Sequence, residues 1–383
     1  MEWRRRSGRI VGFILIVGAM LVPPAAWAQA VRIGVVEGLS GAPAIVDFGE
    51  SYLQGIKLAV KEYNGRGGYK GKPMELIVYD DEANPQRAVE LVTRLITQDR
   101  VPVIIGTVNS GNVLAFMHLN QQNKVPLMAG PAIASPITTK FKDQAKNYIF
   151  RCSMVEEYQV NALLDWAVKR FQRVGLLHST TGYGMFAKDA ILKGLESRQV
   201  KPVVVESTNP GATDLTPQML KFKQADVQLI LTFAEEWEKQ YRVLPKINYR
   251  PVMAGNWGLS SGILKDVIGA DALEGTVMGQ ALDFNDKRAQ QFDDKARKEY
   301  GKAYRWPVVV TLGYDATNLV LRALDMGGPN ADEIRDALER IDNFEAVTTG
   351  IPKKPYAKDD HECLDQKDVF LGIWKNGKVV KVQ

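Results

Sequence analysis

The sequence predicts an α/β protein built from two doubly wound parallel-sheet lobes, and three observations carry that prediction. Short runs such as "VRIGVVEG", "VPVIIGT", "VPLMAG", "RVGLLHS" and "DVQLILTF" are apolar on both faces, the pattern of strands covered by helices on either side. Segments of helical periodicity separate them, so strand and helix alternate, as parallel pairing requires. After "YIFRCSM" the alternation restarts with the same rhythm, giving a second unit of comparable size with no long disordered linker.

In the first unit, "VRIGVVEG" leads into a helix through "FGESYLQGIKLAVKEYN", where Tyr52, Ile56, Ala59, Val60 and Tyr63 share one face. "GYKGKPMELIVYDDEANP" reads as turn, strand and a loop opening at Asp80–Asp81, and "PQRAVELVTRLITQD" as a helix with Pro85 near its start. The strand "VPVIIGT", the helix "NVLAFMHLNQQN" and the strand "VPLMAG" follow. The second unit runs through the helix "VNALLDWAVKRF", the strand "RVGLLHS", the helix "GMFAKDAILKGLES" and the strand "KPVVVES". The helix "DLTPQMLKFKQ" and the strands "DVQLILTF" and "RPVMAGN" come next. Further on, "TLGYDATNLVLRALDMGG" and "PNADEIRDALERI" are helices, and "DVFLGIWKNGKVVKV" is a terminal hairpin turning at Asn376–Gly377.

The first 28 residues have the form of an export signal: the basic "MEWRRRSGR", the apolar run "IVGFILIVGAMLV" of 13 residues, and the small-x-small site Ala26–Trp27–Ala28. That run is shorter than the roughly 20 residues of a membrane span. The expected product is a soluble chain exported to the periplasm and cleaved after Ala28. Cleavage removes Arg4, Arg5, Arg6, Arg9 and Glu2, so the net charge falls from +5 to +2. A near-neutral chain offers no electrostatic footprint for nucleic acid or an anionic membrane. Its length of about 355 residues fits two domains with a core each.

Chemical motifs are sparse. "GTVNSGN" lacks the Lys and the following Ser/Thr of a phosphate-binding loop, and "VVEGLSGAP" lacks the three-glycine dinucleotide spacing. A nucleophile elbow at Ser110 needs glycine at Val108 and a nearby base. Of the three histidines, His118 lies in a helix, His361 in a charged loop and His178 at a strand end in the other unit, so the pattern does not point to an enzyme. "HEC" at 361–363 has no metal-ligand spacing, "YDDEAN" reads as a turn and helix cap, and no cofactor is implied. Glu235, Glu236 and Glu238 in "FAEEWEK" read most simply as a solvated face, although Glu235 follows its strand closely enough to reach a cleft. Cys152 and Cys363 allow one disulfide or two buried thiols. What remains is a solute pocket: Asn109–Ser110 and "GPAIAS" follow successive strands, where helix N-termini favour a small carboxylate.

Taken in order, "VRIGVVEGLSG", "GIKLAVKEYNGRGGYKGKPMELIVYDDEANPQRAVELVTRLI", "VIIGTVNSG", "VPLMAGPAIASP", "YGMFAKD" and "DALEGTVMG" resemble the periplasmic solute-binding proteins of ABC importers for leucine, isoleucine and valine. The likeness spans residues 31–383. It implies the type I bilobed fold, with lobe 1 in 29–151 and 281–369 and lobe 2 in 152–280 and 370–383. The three hinge crossings would lie near Arg151–Cys152, Gln280–Ala281 and Asp368–Leu371, which brings both cysteines to the hinge and favours their disulfide. By the same resemblance Phe48 packs on the ligand and Ser110, beside Asn109, binds its carboxylate. Ala132, Ile133, Ala134 and Ser135 form the next loop of the site, and Tyr183 closes it. Phe233 and Ala234 form its wall, and the acidic residue that neutralises an α-ammonium falls at Asn256, beside Trp257. With Ala134 in place of threonine and Asn256 in place of glutamate, two expectations stand: Glu235 supplies the counter-charge, or the ligand is a hydrophobic or aromatic carboxylate without an amino group. The implied partners are an ABC permease and ATPase complex, with the chain a monomer, or a membrane receptor if the chain is a sensor.

Overall fold

The computed structural model describes residues 30–41 and 43–382; the leader 1–28 and its cleavage after Ala28 lie outside them. The chain begins β1 (Val31–Glu37), α1 (Pro43–Gly65), β2 (Met74–Asp80), α2 (Pro85–Thr97), β3 (Ile104–Gly106), α3 (Ser110–Asn123), β4 (Leu127–Ala129), α4 (Pro136–Thr139) and β5 (Ile149–Arg151). It continues α5 (Glu156–Ala167), β6 (Val174–Ser179), α6 (Gly182–Ser197), β7 (Val204–Thr208), α7 (Thr216–Gln224), β8 (Leu229–Phe233), α8 (Trp237–Val243) and β9 (Val252–Gly255). Then come α9 (Gly262–Ile268), α10 (Ala270–Leu273), β10 (Val277–Gln280), α11 (Lys287–Tyr300), α12 (Pro307–Gly327), α13 (Ala331–Leu338), β11 (Phe370–Lys375) and β12 (Lys378–Lys381).

The strands form two sheets. The first has the order β2-β1-β3-β4-β5 and is parallel throughout. The second has the order β12-β11-β10-β9-β8-β6-β7, parallel from β7 to β10 and antiparallel at β11 and β12. Its five parallel strands repeat the connectivity of the first sheet. In each lobe the winding reverses once, between β1 and β3 and between β6 and β8, and a crevice opens there at the carboxyl ends of the strands. Strands β3, β6 and β8 are buried along their whole length, as the two-sided apolar runs require.

Local chemistry sets the elements. Asn84 caps α2 by accepting the Arg87 amide at 3.0 Å, with Pro85 in the first turn where its missing N–H is harmless. The β11–β12 turn places Asn376 and Gly377 at φ +52° and +70°, the pair a two-residue hairpin demands. Helix α12 is apolar on most sides and crosses α1 at closest approach: a Cβ on Gly55 would lie 2.1 Å from the Val310 carbonyl oxygen, and one on Gly313 2.2 Å from that of Tyr52. Two differences from the sequence reading stand out. Helix α1 starts at Pro43 rather than Phe48, and α11, not assigned from the sequence, buries Ala289, Phe292 and Ala296 at helical spacing among 14 otherwise mostly polar residues.

The chain leaves the first sheet after β5, returns to pack α12 on α1 after β10, and enters the second sheet again at β11. Where it leaves, residues 361–363 run parallel to β5 through the amide of Arg151 to the His361 carbonyl (3.0 Å) and the amide of Cys363 to the Arg151 carbonyl (3.2 Å). The fully buried Arg151 guanidinium donates to Glu362 from Nε (2.8 Å) and Nη2 (2.5 Å), and from Nη1 to the carbonyls of Ala132 and Ala134, both at 3.0 Å.

Candidate functional site

The two crevices face each other. From the first lobe, the segments after β3 and β4 bring Val108, Asn109, Ser110, Pro131 and Ile133, and α1 brings Ile45 and Phe48. From the second, the segments after β6, β8 and β9 bring Thr181, Tyr183, Glu235 and Trp237, then Asn256, Trp257 and Gly258. They enclose a cavity of about 50 Å3, which admits the centres of roughly four water-sized groups. That is the scale of a small solute. A larger hollow of about 590 Å3 lies beside β12 and the start of α12, away from both winding reversals.

The first-lobe shelf is held rigidly. The Asn109 side chain caps α3 by accepting the Asn112 amide at 3.2 Å, which leaves first-turn amides at Ser110 and Gly111 without partners inside the helix. Ser110 Oγ accepts the Ala134 amide at 3.3 Å and so ties this turn to the next loop. Behind the shelf the Val108 amide donates to Glu37 Oε2 at 3.1 Å. Burial, reinforced by the Asp81 carboxylate, keeps the Glu37 carboxyl well above its usual range.

The second-lobe wall is more polar than its sequence implies. Thr181 caps α6 by accepting the Gly184 amide at 3.2 Å and donates to Glu235 Oε1 at 3.1 Å. Burial pushes the Glu235 carboxyl up to about 7, with Glu236 adding to the effect and the Ser179 and Thr181 hydroxyls opposing it. Its Oε2 is buried without a partner, as is Trp237 Nε1. Asn256 accepts the Gly258 amide at 2.7 Å and donates to the Tyr183 hydroxyl. Burial raises the Tyr183 phenol well above its ordinary value, so it stays neutral.

The lobes touch around the cavity. Phe48, stacked on Trp306 of its own lobe at 4.8 Å, meets the Trp257 edge across the cleft at 6.2 Å. Ser261 Oγ donates to Asp47 Oδ2 at 3.3 Å, and the Gly262 amide to the Arg305 carbonyl at 3.2 Å. Burial raises Asp47 to about 6, against the hydrogen bond from Ser261. The N-termini of α3 and α6 oppose each other so closely that a Cβ on Gly182 would lie 3.5 Å from the Cα of Gly111.

Of the expected site residues, Phe48, Asn109, Ser110, Ile133, Tyr183, Glu235, Asn256 and Trp257 line the cavity. Ala132, Ala134, Ser135 and Phe233 do not. The carbonyls of Ala132 and Ala134 are taken by Arg151, Ser135 Oγ donates to Glu156 Oε1 at 2.9 Å, and Phe233 is fully buried within the second lobe. Of the three carboxylates in "FAEEWEK", Glu235 reaches the cavity, as its place just after β8 allowed, while Glu238 lies on the solvated face and pairs with Arg242. Thr181 and Trp237 were not singled out; an aromatic inside an acidic run just after a strand end was the available signal. His178 points to the Ser179 carbonyl oxygen (3.0 Å from Nδ1) and does not line the cavity that holds Ser110. Cys152 and Cys363 are free thiols, so the expected disulfide is absent. Burial, with a hydrogen bond between the two groups, pushes the Cys152 thiol up and disfavours the thiolate that would start such a bond. Among the described residues no group of His, Cys, Asp and Glu is placed to hold a metal ion, and no helix is long and apolar enough to cross a membrane.

Two doubly wound lobes closing on a small-solute cavity define a bilobed binding protein of the type I class. The comparisons agree. A family model for periplasmic binding proteins matches residues 30–378, and the chain belongs to that family. The Leu/Ile/Val-binding protein BraC3 of Rhizobium johnstonii is 24% identical over 373 residues, covering 96% of this chain and 98% of the relative. Among solved structures, a type 1 periplasmic binding protein from Bordetella pertussis superposes with a TM-score of 0.81 at 23% identity, covering 92% of this chain and 100% of its own. The branched-chain amino acid transporter substrate-binding protein LivJ from Streptococcus pneumoniae, in complex with isoleucine, gives 0.79 at 22% over the same shares. A solute-binding protein from R. palustris in complex with 4-hydroxybenzoate gives 0.77 at 20%, covering 93% of this chain and 96% of its own.

Proposed function

We propose that this chain is the exported solute-binding subunit of an ABC importer, holding a branched-chain or related amino acid between its lobes for an inner-membrane permease and ATPase. The observation that carries the reading is the meeting of both strand-end crevices on one small cavity. A solute touched from both sides stabilises the closed arrangement over the open one by the contacts that only closure completes. The family supports the role, and the leader-like first 28 residues support export to the periplasm.

A second reading, a hydrophobic or aromatic carboxylate without an amino group, is favoured by the neutral Asn256 and by the rings of Phe48, Tyr183, Trp237 and Trp257 on the cavity. A thermal-shift screen of amino acids against aliphatic and aromatic acids, followed by calorimetry, tests both. A ligand at 100 times its Kd adds about 2.7 kcal/mol to stability. Spread over some 350 residues this is a rise of about 4 °C in melting temperature. A screen in which neither class moves the transition refutes the proposal.

A further inference from the structure

The hollow of about 590 Å3 beside β12 has the marks of a site of its own. One wall is the β12-β11-β10 end of the second sheet; the other is α11 and the start of α12, the helix packed on α1 of the first lobe. Leu282, Trp306 and Val308 lie buried at its floor, while Phe284 and Val380 stand at its mouth, 39% and 40% exposed. Small-molecule sites run from about 300 to 1,000 Å3, mostly apolar with a few placed polar groups. Gln280 is such a group: its side chain is buried, and its Nε2 has no hydrogen-bond partner. Gly372, on the strand paired with β10, leaves it room, since a Cβ there would lie 2.8 Å from Gln280 Cγ. A buried N–H calls for an acceptor.

The charges around the hollow are one-sided. Its two carboxylates are both engaged, Asp293 by Arg297 at 2.6 Å and Asp283 by Lys381 at 3.6 Å. Lys265, Arg305 and Lys378 line it as well and make no ion pair among the described residues, although Arg305 lies within the field of Asp47. Lys265 donates once, to the Gly377 carbonyl at 3.0 Å, and an ammonium has three N–H groups to give. That excess of three positive charges favours an anion.

We propose that this hollow is a second ligand site, separate from the solute cavity, for an organic anion with an aromatic body. The body lies against Phe284, Phe370 and Val380, the charge faces the unpaired cations, and an oxygen accepts from Gln280. The site goes beyond solute capture and does not depend on it. Because its walls come from both lobes, an occupant touching both favours the arrangement in which they face each other.

Calorimetry with three probes of one shape tests it: 2-naphthoate, 2-naphthylmethanol and 2-naphthylmethylammonium. The carboxylate should bind about 10-fold tighter than the alcohol, and the ammonium weakest of all. Lys378→Glu and Val380→Asp change exposed positions, and thermal melts check that both variants fold. Each should weaken 2-naphthoate by about 5-fold or more. Ser110→Ala should leave that affinity unchanged, because Ser110 lines the other cavity. An alcohol that binds as tightly as the carboxylate overturns the proposal, as does the absence of saturable heat up to about 10 mM. Binding untouched by both hollow variants overturns it too. If that binding falls in Ser110→Ala, the anion lies in the solute cavity, and solute capture stands while the second site fails.

Discussion

Glu362→Ala tests how firmly the segment 361–363 is bound to β5. The substitution removes both acceptors that meet the Arg151 guanidinium at 2.8 and 2.5 Å. Arg151 is fully buried and Glu362 has 11% of its side chain exposed, so water cannot replace the lost carboxylate. The carbonyls of Ala132 and Ala134 and the Thr138 hydroxyl stay as neutral acceptors, but a buried cation without its anion costs about 3–5 kcal/mol. An unfolding entropy of about 2.1 cal/mol/K per residue over some 350 residues converts this to a fall of roughly 4–7 °C in melting temperature. Differential scanning calorimetry of the empty protein reads it directly. The double variant Arg151→Met, Glu362→Leu should recover part of the loss, since it removes the unpaired charge but leaves the Ala132 and Ala134 carbonyls without a donor. A single variant that melts within a degree of the wild type would refute the reasoning, and would mean that solvent reaches the guanidinium.

Three further outcomes follow from the site. Ser110→Ala should weaken ligand binding by about 1.5–3 kcal/mol in calorimetry, the range for a hydrogen bond to a charged group. It also strips the buried Ala134 amide of its acceptor, so the empty protein should melt about 1–4 °C lower; unchanged affinity places the carboxylate elsewhere. Only ionised Glu235 attracts a cationic ligand, and its carboxyl lies near 7, so affinity is full above that value and falls below it. Between about pH 8 and pH 5.5 the loss should be about 30-fold, and Glu235→Gln should flatten it; a slope shared by both proteins points to Asp47, the other raised carboxyl at the lobe contact, or to Glu236. Gly182→Leu places carbon where only 3.5 Å separates it from the Gly111 backbone, so small-angle scattering should show lobes that stay apart with ligand present. Its affinity should drop at least about 10-fold, or 1.4 kcal/mol, and wild-type compactness and affinity would sink the argument.

The alternation of strands and helices was legible because parallel strands buried on both faces must be apolar throughout, and β3, β6 and β8 are. The hairpin at Asn376–Gly377 was legible because few residues adopt positive φ twice in succession. Asn109 and Ser110 could be placed at the cavity because a cap residue after a buried strand leaves little else for the turn to do. Glu235 and Trp237 were harder. In composition "AEEWE" is a solvated run, and its inward turn depends on where β8 ends relative to a lobe that is distant in sequence. The loop at Ala132–Ala134 misled for the same reason. Its carbonyls belong to Arg151, whose own partner stands 211 residues along the chain. Local pattern reports local structure, while the commitment of a buried polar group is settled by what the fold brings alongside it.

The head-on approach of α3 and α6 has a consequence for timing. Each helix ends in a macrodipole worth about half a positive charge. Two such ends meeting at Gly111 and Gly182 in partly screened surroundings repel by of order 1 kcal/mol. The Glu235 carboxylate, bonded to the Thr181 cap of α6, offsets part of this, so closing without cargo is disfavoured by less than about fivefold in population. An anionic ligand group in the cavity beside Ser110 adds an attraction at the α3 end that the vacant protein lacks. The contact of Gly111 with Gly182 thus tilts closure toward loaded molecules, so a component that engages only the shut form meets fewer vacant ones.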